Sequence, residues 1–167
     1  LYDFNILNKI DLLKEKCINY NNIFILGKGL LNPIAHEAAL KIKEVCYIHC
    51  EGFSAASLKH GPFALLDNNN LTLLLINYND SSNYSNLKST YYEILARNTN
   101  IFIITNSQLV IDELKLKTND YLLLYKLSYY NEIIFIIALQ YLAYQISIEK
   151  GINPDKPRNL AKVVTVE

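Results

Sequence analysis

The chain has 167 residues, 51% of them hydrophobic, and its 16 basic and 16 acidic side chains give a net charge of zero. This length and apolar content allow one domain with a substantial core and exclude an intrinsically disordered protein. The charge balance excludes a global electrostatic attraction to nucleic acid or to an anionic membrane.

The three cysteines, Cys17, Cys46 and Cys50, do not have the spacing of a zinc site or of a disulfide framework. Cys46 and Cys50 are four positions apart, but no second pair of ligands accompanies them. The pattern predicts buried free thiols in a reducing compartment. No other set of His, Cys and carboxylate residues has a convincing metal-binding spacing, and we expect neither a metal nor a cofactor.

Two further features bear on the location and completeness of the chain. The most apolar stretch, residues 133–144, is interrupted by Gln140 and is too short to span a bilayer. No signal peptide is recognisable, so we expect a cytoplasmic protein without a membrane partner. The chain begins with Leu1 and contains no methionine, from which we expect a piece of a longer polypeptide.

The first three predicted elements, in chain order, are a helix, a strand and a helix. Residues 5–20 have apolar side chains at helical spacing, and residues 22–27 are a short apolar run that ends in glycine. The second helix is predicted at 32–49, with Asn32 as its N-cap and Pro33 at its first position.

The remaining predicted elements continue the alternation of strands and helices. They are strands at 71–77, 100–106 and 121–127 and helices at 82–97 and 131–151. The strands are apolar on both faces, which is typical of a parallel sheet covered by helices on each side. The sequence therefore predicts a single α/β domain, a three-layer αβα sandwich with a mostly parallel sheet.

The helix at 32–49 has Glu37, Lys41 and Glu44 on one face, since these residues are four and three positions apart. On spacing alone, a solvated stripe of ion pairs explains them. Their helix begins after the carboxyl end of a strand, where α/β sheets place ligand sites, and this position favours a functional role. The preceding GKG segment lacks the full glycine pattern of a dinucleotide site and is predicted to form a turn.

His60 is the second candidate, because Gly61 and Pro62 follow it and predict a chain reversal. A histidine held in a turn can transfer protons near neutral pH. The same position also suits a histidine that is structural or merely exposed, and composition does not decide between these alternatives.

The polar segment after the second predicted strand offers Ser81, Ser82 and Ser85. Hydroxyl groups at a helix N-terminus can bind a sugar phosphate. They also occur in ordinary N-cap clusters, and we favour this second interpretation. His36 and His49 are interpreted as structural or surface residues.

Two segments, "AHEAALKIKEVCYIHCEGFSAASLKHGPFALLD" and "PDKPRNLAKVVTVE", resemble one family. The family is glutamine–fructose-6-phosphate aminotransferase, also called glucosamine-6-phosphate synthase. The resemblance is to the second of two sugar isomerase (SIS) subdomains in its isomerase half, and it runs from about residue 5 to Glu167. It implies one flavodoxin-like SIS domain over residues 1–167, with an active-site tail at 152–167.

The resemblance also implies roles for individual residues. Glu44 would be the base that moves a proton between C1 and C2 of the sugar, and His60 would help to open the sugar ring. Lys162 would form a Schiff base with the open-chain ketose. The positions that match substrate-contacting residues of the family are Glu37, Lys41, Arg158 and Ala161.

The partners implied by the resemblance are fructose 6-phosphate, glucosamine 6-phosphate and the rest of the same polypeptide. That remainder would supply the glutaminase domain and the first SIS subdomain, which holds the phosphate, so the isolated chain is expected to be inactive. A homodimer is implied, because the family's histidine reaches the neighbouring subunit's site. The alternative is a non-catalytic regulatory SIS module that binds sugar phosphates, which would have no need of a Schiff-base lysine.

Overall fold

The computed structural model describes residues 4–78 and 80–160, and helices and strands alternate through them. The α-helices are α1 (Phe4–Ile18), α2 (Leu31–Cys46), α3 (Ser81–Leu95), α4 (Gln108–Leu114) and α5 (Asn131–Glu149). The strands are β1 (Asn22–Gly27), β2 (His49–Ser54), β3 (Asn70–Ile76), β4 (Asn100–Thr105) and β5 (Tyr121–Leu123). Two short 3-10 helices, Ala55–His60 and Pro62–Leu65, connect β2 to β3.

The strands form a parallel sheet in the order β2-β1-β3-β4-β5. This order is that of flavodoxin-like doubly wound folds. Every residue of β3 is buried, and so is most of β1 and β4, because helices cover both faces of the sheet. The predicted α/β class and parallel sheet are confirmed.

The two faces of the sheet have separate hydrophobic clusters. On one face α1, α2 and α5 pack against the sheet, with fully buried residues such as Leu13, Ile42 and Phe135. On the other face lie α3, α4 and the 3-10 helix of Ala55–His60, which contributes Leu58. The predicted three-layer sandwich is therefore confirmed. Helix α2 and the 3-10 helix of Ala55–His60 lie on opposite faces of the sheet.

The predicted helix at 32–49 is wrong at both ends. It ends at Cys46, because Tyr47 has a left-handed backbone (φ 54°), and residues 49–54 form strand β2 instead. The prediction missed β2 because an edge strand is only partly buried and lacks the continuous apolar run of the central strands. The short helix α4 was also missed, and the predicted strand 121–127 is reduced to β5.

Asn32 is not the N-cap of α2. The helix begins at Leu31, since the backbone N–H groups of Leu31 and Asn32 donate to the carbonyl oxygens of Lys28 and Gly29. Gly29 has a φ of 58°, a conformation that glycine adopts without strain, and this allows the predicted turn. The backbone thus satisfies the donors that a side-chain cap would otherwise serve.

Helix α2 packs on the sheet at two glycines, and its backbone comes close to both of them. A Cβ atom on Gly52 of β2 would lie 2.5 Å from the Cα of His36 and 2.6 Å from the carbonyl oxygen of Ala35. A Cβ atom on Gly27 would collide with the carbonyl group of Leu31. The position of α2 therefore depends on the absence of side chains at these two positions.

We expect Gly52→Ala to lower the free energy of unfolding by about 1–3 kcal/mol, because α2 must move to admit a methyl group. Chemical denaturation of the isolated chain measures this change. Glu51→Ala on the same strand is the matched control, with an expected change within about 0.5 kcal/mol. An unchanged denaturation midpoint for Gly52→Ala would contradict the close packing of α2 on β2.

Helix α5 is apolar on nearly all sides. By length and composition alone it could cross a membrane, and 44% of its most apolar window is buried within the structure. Its buried residues, among them Phe135, Leu139 and Ile146, pack with α1 and α2, while Ile133, Tyr144 and Ile148 are exposed. The helix contributes as much to this core as any other element of its layer.

Candidate active site

The polar face of α2 forms the predicted ion-pair stripe. The Lys41 ammonium lies 2.7 Å from an Oε atom of Glu44 and 3.7 Å from one of Glu37. The hydrogen bond that Lys41 donates to Glu44 is the main cause that raises the pKa of Lys41, and burial opposes it. Lys41 is therefore a fixed cation between two half-exposed carboxylates.

The location of Glu44 corrects the sequence interpretation. The carboxyl end of the sheet was expected to hold the site, since α2 begins there. Glu44 lies in the last turn of α2, however, and α2 runs antiparallel to the strands before β2 begins at His49. Glu44 is therefore close to the amino ends of the strands, and the periodicity of the stripe could not reveal at which end of the helix its chemistry lies.

The segment after α5 crosses from the end of α5 to the end of α2. Gly151 ends the helix with a φ of 68°, and the N–H of Ile152 donates to the carbonyl oxygen of Ser147. The backbone N–H of Arg158 then donates to the hydroxyl oxygen of Tyr47 at 2.7 Å. The Arg158 guanidinium carbon lies 4.1 Å from the centroid of the Tyr47 ring. The start of the predicted active-site tail is thus attached to α2.

A cavity of about 310 Å³ lies where this tail meets α2. Its lining residues are Lys43, Glu44, Tyr47, Arg158, Asn159 and Leu160. The structure therefore brings the proposed base, Glu44, and one predicted substrate-contacting residue, Arg158, to a common cavity. The lining includes one acidic and two basic residues, a composition that suits a polar, anionic or hydroxylated ligand.

His60 is not part of this cavity. It is exposed at the end of its 3-10 helix, and Gly61 follows with a φ of 142°, which confirms the predicted chain reversal. The neighbouring Lys59 forms an ion pair with Glu93 of α3 at 2.8 Å. His60 and Glu44 lie on opposite faces of the sheet, so the folded chain does not bring these two predicted catalytic residues together.

The SIS domain family profile matches residues 17–116, which is more than half of the chain. The chain belongs to the SIS domain family. The matched region includes Glu37, Lys41, Glu44 and His60, whereas the tail with Arg158 lies beyond it. Of the residues that line the cavity, Lys43, Glu44 and Tyr47 lie within the matched region, and Arg158, Asn159 and Leu160 lie beyond it.

Relatives of this SIS domain extend the match to the tail. A probable glutamine–fructose-6-phosphate aminotransferase of Acanthamoeba polyphaga mimivirus is 47% identical over 162 residues, which are 96% of this chain and 26% of that protein. The glutamine–fructose-6-phosphate aminotransferase of Wigglesworthia glossinidia brevipalpis is 38% identical over 166 residues, again 96% and 26%. The chain therefore spans about a quarter of the length of the relatives it matches.

A solved structure agrees with this match. The C-terminal domain of glucosamine-fructose-6-phosphate aminotransferase from Francisella tularensis superposes with a TM-score of 0.76 at 30% identity. The match covers 89% of this chain and 41% of that one. The resemblance inferred from the sequence motifs is confirmed, both in sequence and in fold.

Two of the predicted site residues, Ala161 and Lys162, lie outside the described residues. The proposed Schiff-base lysine and the contact at residue 161 therefore stay predictions. The last described residues of the tail are Asn159 and Leu160, both of which line the cavity with Glu44.

The serine-rich segment of the SIS domain is occupied by internal contacts. The Ser82 hydroxyl donates to the Asp80 carboxylate at 2.7 Å, and the Asn83 side chain donates to it as well. These hydrogen bonds, first from Asn83 and then from Ser82, lower the pKa of Asp80. The Ser85 carbonyl oxygen accepts from the Ser89 hydroxyl. The contacts of Ser82 favour the interpretation of this segment as a local N-terminal cluster of α3 over a phosphate site.

Two polar features of the SIS domain were not predicted. One is Tyr47, whose contacts with Arg158 join positions 111 residues apart in sequence. The other is a buried asparagine cluster at the carboxyl edge of the sheet, where Asn106 donates to Asn77 and Asn131 at 3.0 Å. These asparagines follow β3 and β4, beside the switch point between β1 and β3 where such folds bind ligands, and the side-chain oxygen of Asn106 has no hydrogen-bond partner among the described residues. No local sequence signal distinguishes these residues from ordinary surface Tyr and Asn.

The three cysteines are buried and free, as predicted. Burial raises the pKa of Cys46 to about 12 and raises the pKa values of Cys17 and Cys50 further. Among the described residues, no group of three or more His, Cys, Asp and Glu residues could hold a metal ion. The thiols are therefore protonated side chains of the core.

Proposed function

We propose that this chain is the second SIS subdomain in the isomerase half of a glutamine–fructose-6-phosphate aminotransferase. The whole enzyme converts fructose 6-phosphate and glutamine to glucosamine 6-phosphate and glutamate. The observation that carries the proposal is the cavity shared by Glu44 and the Arg158 segment, in a chain that matches these aminotransferases on both sides of that junction.

The proposed chemistry needs no redox partner. The Lys162 amine adds to the C2 carbonyl of open-chain fructose 6-phosphate and water leaves, which gives an iminium ion. Ammonia from the glutaminase domain replaces the lysine, and Glu44 removes a proton from C1 and returns it to C2. As the proton reaches C2, the C1 hydroxyl gives up its own proton to solvent, which offsets the proton taken up when water left. The carbonyl group is then at C1 and the amine at C2, which is glucosamine 6-phosphate.

The other side chains of α2 and the tail have supporting roles in this proposal. Lys41 holds the Glu44 carboxylate through their 2.7 Å contact, and Glu37 is the further carboxylate on the same cation. Arg158 adds positive charge to the cavity wall, where it faces the hydroxyl groups or the developing oxyanion of the sugar.

We further propose that the working enzyme is a homodimer in which His60 reaches the site of the other subunit. The support is the location of Glu44 and His60 on opposite faces of one sheet. In this proposal the phosphate anchor and the ammonia come from the rest of the polypeptide. The hydrogen bond from the Ser82 hydroxyl to Asp80 supports this for the phosphate. The same contact counts against the alternative, a regulatory module that grips phosphate with this segment.

A cytoplasmic location without a membrane partner is also part of the proposal. Its support is the set of three buried free thiols, which is typical of a reducing compartment. The buried side of α5, packed on α1 and α2, is what a core helix of a globular enzyme presents.

A mixed-dimer experiment tests both the function and the dimer. Full-length Glu44→Gln and His60→Ala enzymes, each expected to be nearly inactive, are produced together with different tags. If one site uses Glu44 from one subunit and His60 from the other, each mixed dimer has one intact site. Random pairing makes about half of the dimers mixed, so about a quarter of wild-type activity should return.

The outcomes of this experiment separate the two proposals. Mixtures that stay as inactive as the single variants would show that Glu44 and His60 act from the same subunit or not at all. A wild-type full-length enzyme that forms no glucosamine 6-phosphate would reject the function itself.

His60→Ala should in addition slow the turnover of cyclic substrates more than the turnover of analogues locked in the open form.

A further inference from the structure

Tyr47 has an unusual backbone for a bulky side chain. It is the first residue after α2, and its φ of 54° and ψ of 37° are left-handed. Glycine or asparagine takes this position at lower cost at most helix ends. Lys115 after α4 and Tyr130 before α5 are also left-handed, so the backbone alone assigns no role to Tyr47, and its side-chain contacts carry the argument.

Two contacts of that side chain involve one residue of the tail, Arg158. The phenol oxygen accepts the backbone N–H of Arg158 at 2.7 Å, so it fixes the path of the main chain. The ring lies 4.1 Å from the guanidinium carbon, so it also holds the side chain through a cation–π contact. Both the backbone and the charge of Arg158 are thus located by Tyr47.

The position of Tyr47 relates two parts of the proposed site. Glu44 lies three residues earlier in the same turn of chain, and Lys162 lies four residues after Arg158. Tyr47 and Glu44 also line the same cavity. Tyr47 therefore joins the helix end that bears Glu44 to Arg158, which precedes Lys162 by four positions in the sequence.

We propose that Tyr47 is a positioning residue that delivers the C-terminal segment, and with it Lys162, to the sugar. This inference rests on the proposed function. Tyr47 acts through Arg158 and does not itself take part in proton or bond transfer. Its loss should reduce the fraction of bound sugar that reacts with Lys162 more than it lowers the affinity for the sugar, since Arg158 supplies one sugar contact and the phosphate is held elsewhere in the polypeptide.

The test uses full-length enzyme with two substitutions, one that removes a single contact with Arg158 and one that removes both. Tyr47→Phe removes the hydroxyl oxygen and keeps the ring over Arg158. Tyr47→Asn removes both contacts but tolerates the left-handed backbone, so α2 keeps its end. Tyr144→Phe on α5, an exposed tyrosine outside the cavity, is the matched control.

Borohydride reduction with fructose 6-phosphate, followed by peptide mapping, gives the yield of the Lys162 adduct. We expect about a 3- to 10-fold lower yield and kcat for Tyr47→Phe and a larger loss for Tyr47→Asn, with KM within about 2-fold. Thermal midpoints should stay within a few degrees of wild type, and Tyr144→Phe should behave as wild type in every measurement.

The results distinguish this inference from the proposed function. A wild-type enzyme without a Lys162 adduct would reject the function on which the inference rests. A normal wild-type adduct together with normal yields in Tyr47→Phe and Tyr47→Asn would reject the inference alone. Parallel losses of adduct and of thermal stability would show a merely structural tyrosine, and if Tyr47→Asn does not fold, Tyr47→Phe decides.

Discussion

Replacing Lys162 with arginine should reduce glucosamine 6-phosphate synthesis by the full-length enzyme at least about 1000-fold. The proposed nucleophile must be a neutral amine. Arginine is a long basic side chain like lysine but stays protonated under all working conditions, so it cannot form the iminium ion. The substitution therefore removes the nucleophile.

The reactivity of Lys162 needs an environment that disfavours its ammonium form. A free lysine has a pKa near 10.4, so only about one side chain in a few thousand is neutral at pH 7. Arg158 already places a cation at the wall of the cavity, and the sequence after Lys162 contains Val163, Val164 and Val166. Nearby positive charge and desolvation both favour the neutral amine.

The measurement is borohydride reduction in the presence of fructose 6-phosphate and peptide mass mapping of the product. Wild-type enzyme should carry a sugar adduct on Lys162, and Lys162→Arg should carry none. Lys156→Arg, an exposed position in the same tail, is the control and should keep full activity. Full activity of Lys162→Arg would defeat the Schiff-base role.

The second large effect is expected for Glu44→Gln, which should slow isomerisation by the full-length enzyme about 100-fold or more. Glutamine has nearly the shape of glutamate, so the cavity is kept while the base is lost. The exchange also weakens the contact with Lys41, but an ion pair at this helical spacing contributes only about 0.5 kcal/mol. The expected loss is therefore catalytic and not a loss of fold.

Turnover of glucose 6-phosphate to fructose 6-phosphate measures this step without ammonia. Glu51→Gln on β2 is the control, because Glu51 is outside the cavity and forms a pair with His49 at 3.6 Å. The prediction is wrong if Glu44→Gln isomerises glucose 6-phosphate at nearly the wild-type rate.

The charge of Lys41 does not depend on the pH chosen to compare Glu44→Gln with the wild type, provided that this pH lies well below the pKa of Lys41. Glu44 raises the pKa of Lys41 above the ordinary value of 10.5. A raised value in the folded state means that the contribution to stability is fully present below about pH 10.5 and is lost as the pH rises through the folded-state value. Between about pH 6 and 9 Lys41 is charged with or without Glu44, so rate losses there report on Glu44 itself.

The parts of the fold that could be predicted from the sequence are those with both faces buried. The strands at 22–27, 71–77 and 100–106 are continuous apolar runs because helices cover them on two sides, and they fix the α/β class. The edge strand β2 is partly exposed and mixes polar and apolar residues, so its sequence predicted no strand there, and the preceding helix was predicted to extend to His49. The left-handed Tyr47 that separates the two is a backbone property without a composition signal.

In the candidate site too, only the features set by local sequence could be predicted. The spacing of Glu37, Lys41 and Glu44 predicted their common face, because a helix period fixes it locally. Which edge of the sheet Glu44 occupies depends on the length of α2, and the contact with Arg158 depends on where the chain returns after α5. Such long-range contacts arise from the whole topology, and only the family resemblance indicated that these segments meet.

The rate at which the three buried thiols react with a labelling reagent measures how often the core around them opens. Thiol reagents attack the thiolate, and with the pKa of Cys46 at about 12 and those of Cys17 and Cys50 higher still, the native state offers almost none. The three side chains come from α1, α2 and β2 and lie in the hydrophobic cluster between the sheet and the helix layer that carries Glu44. Their rate of labelling therefore measures how often this layer separates from the sheet. Displacement of α2, as expected for Gly52→Ala, becomes visible as faster alkylation long before the chain unfolds.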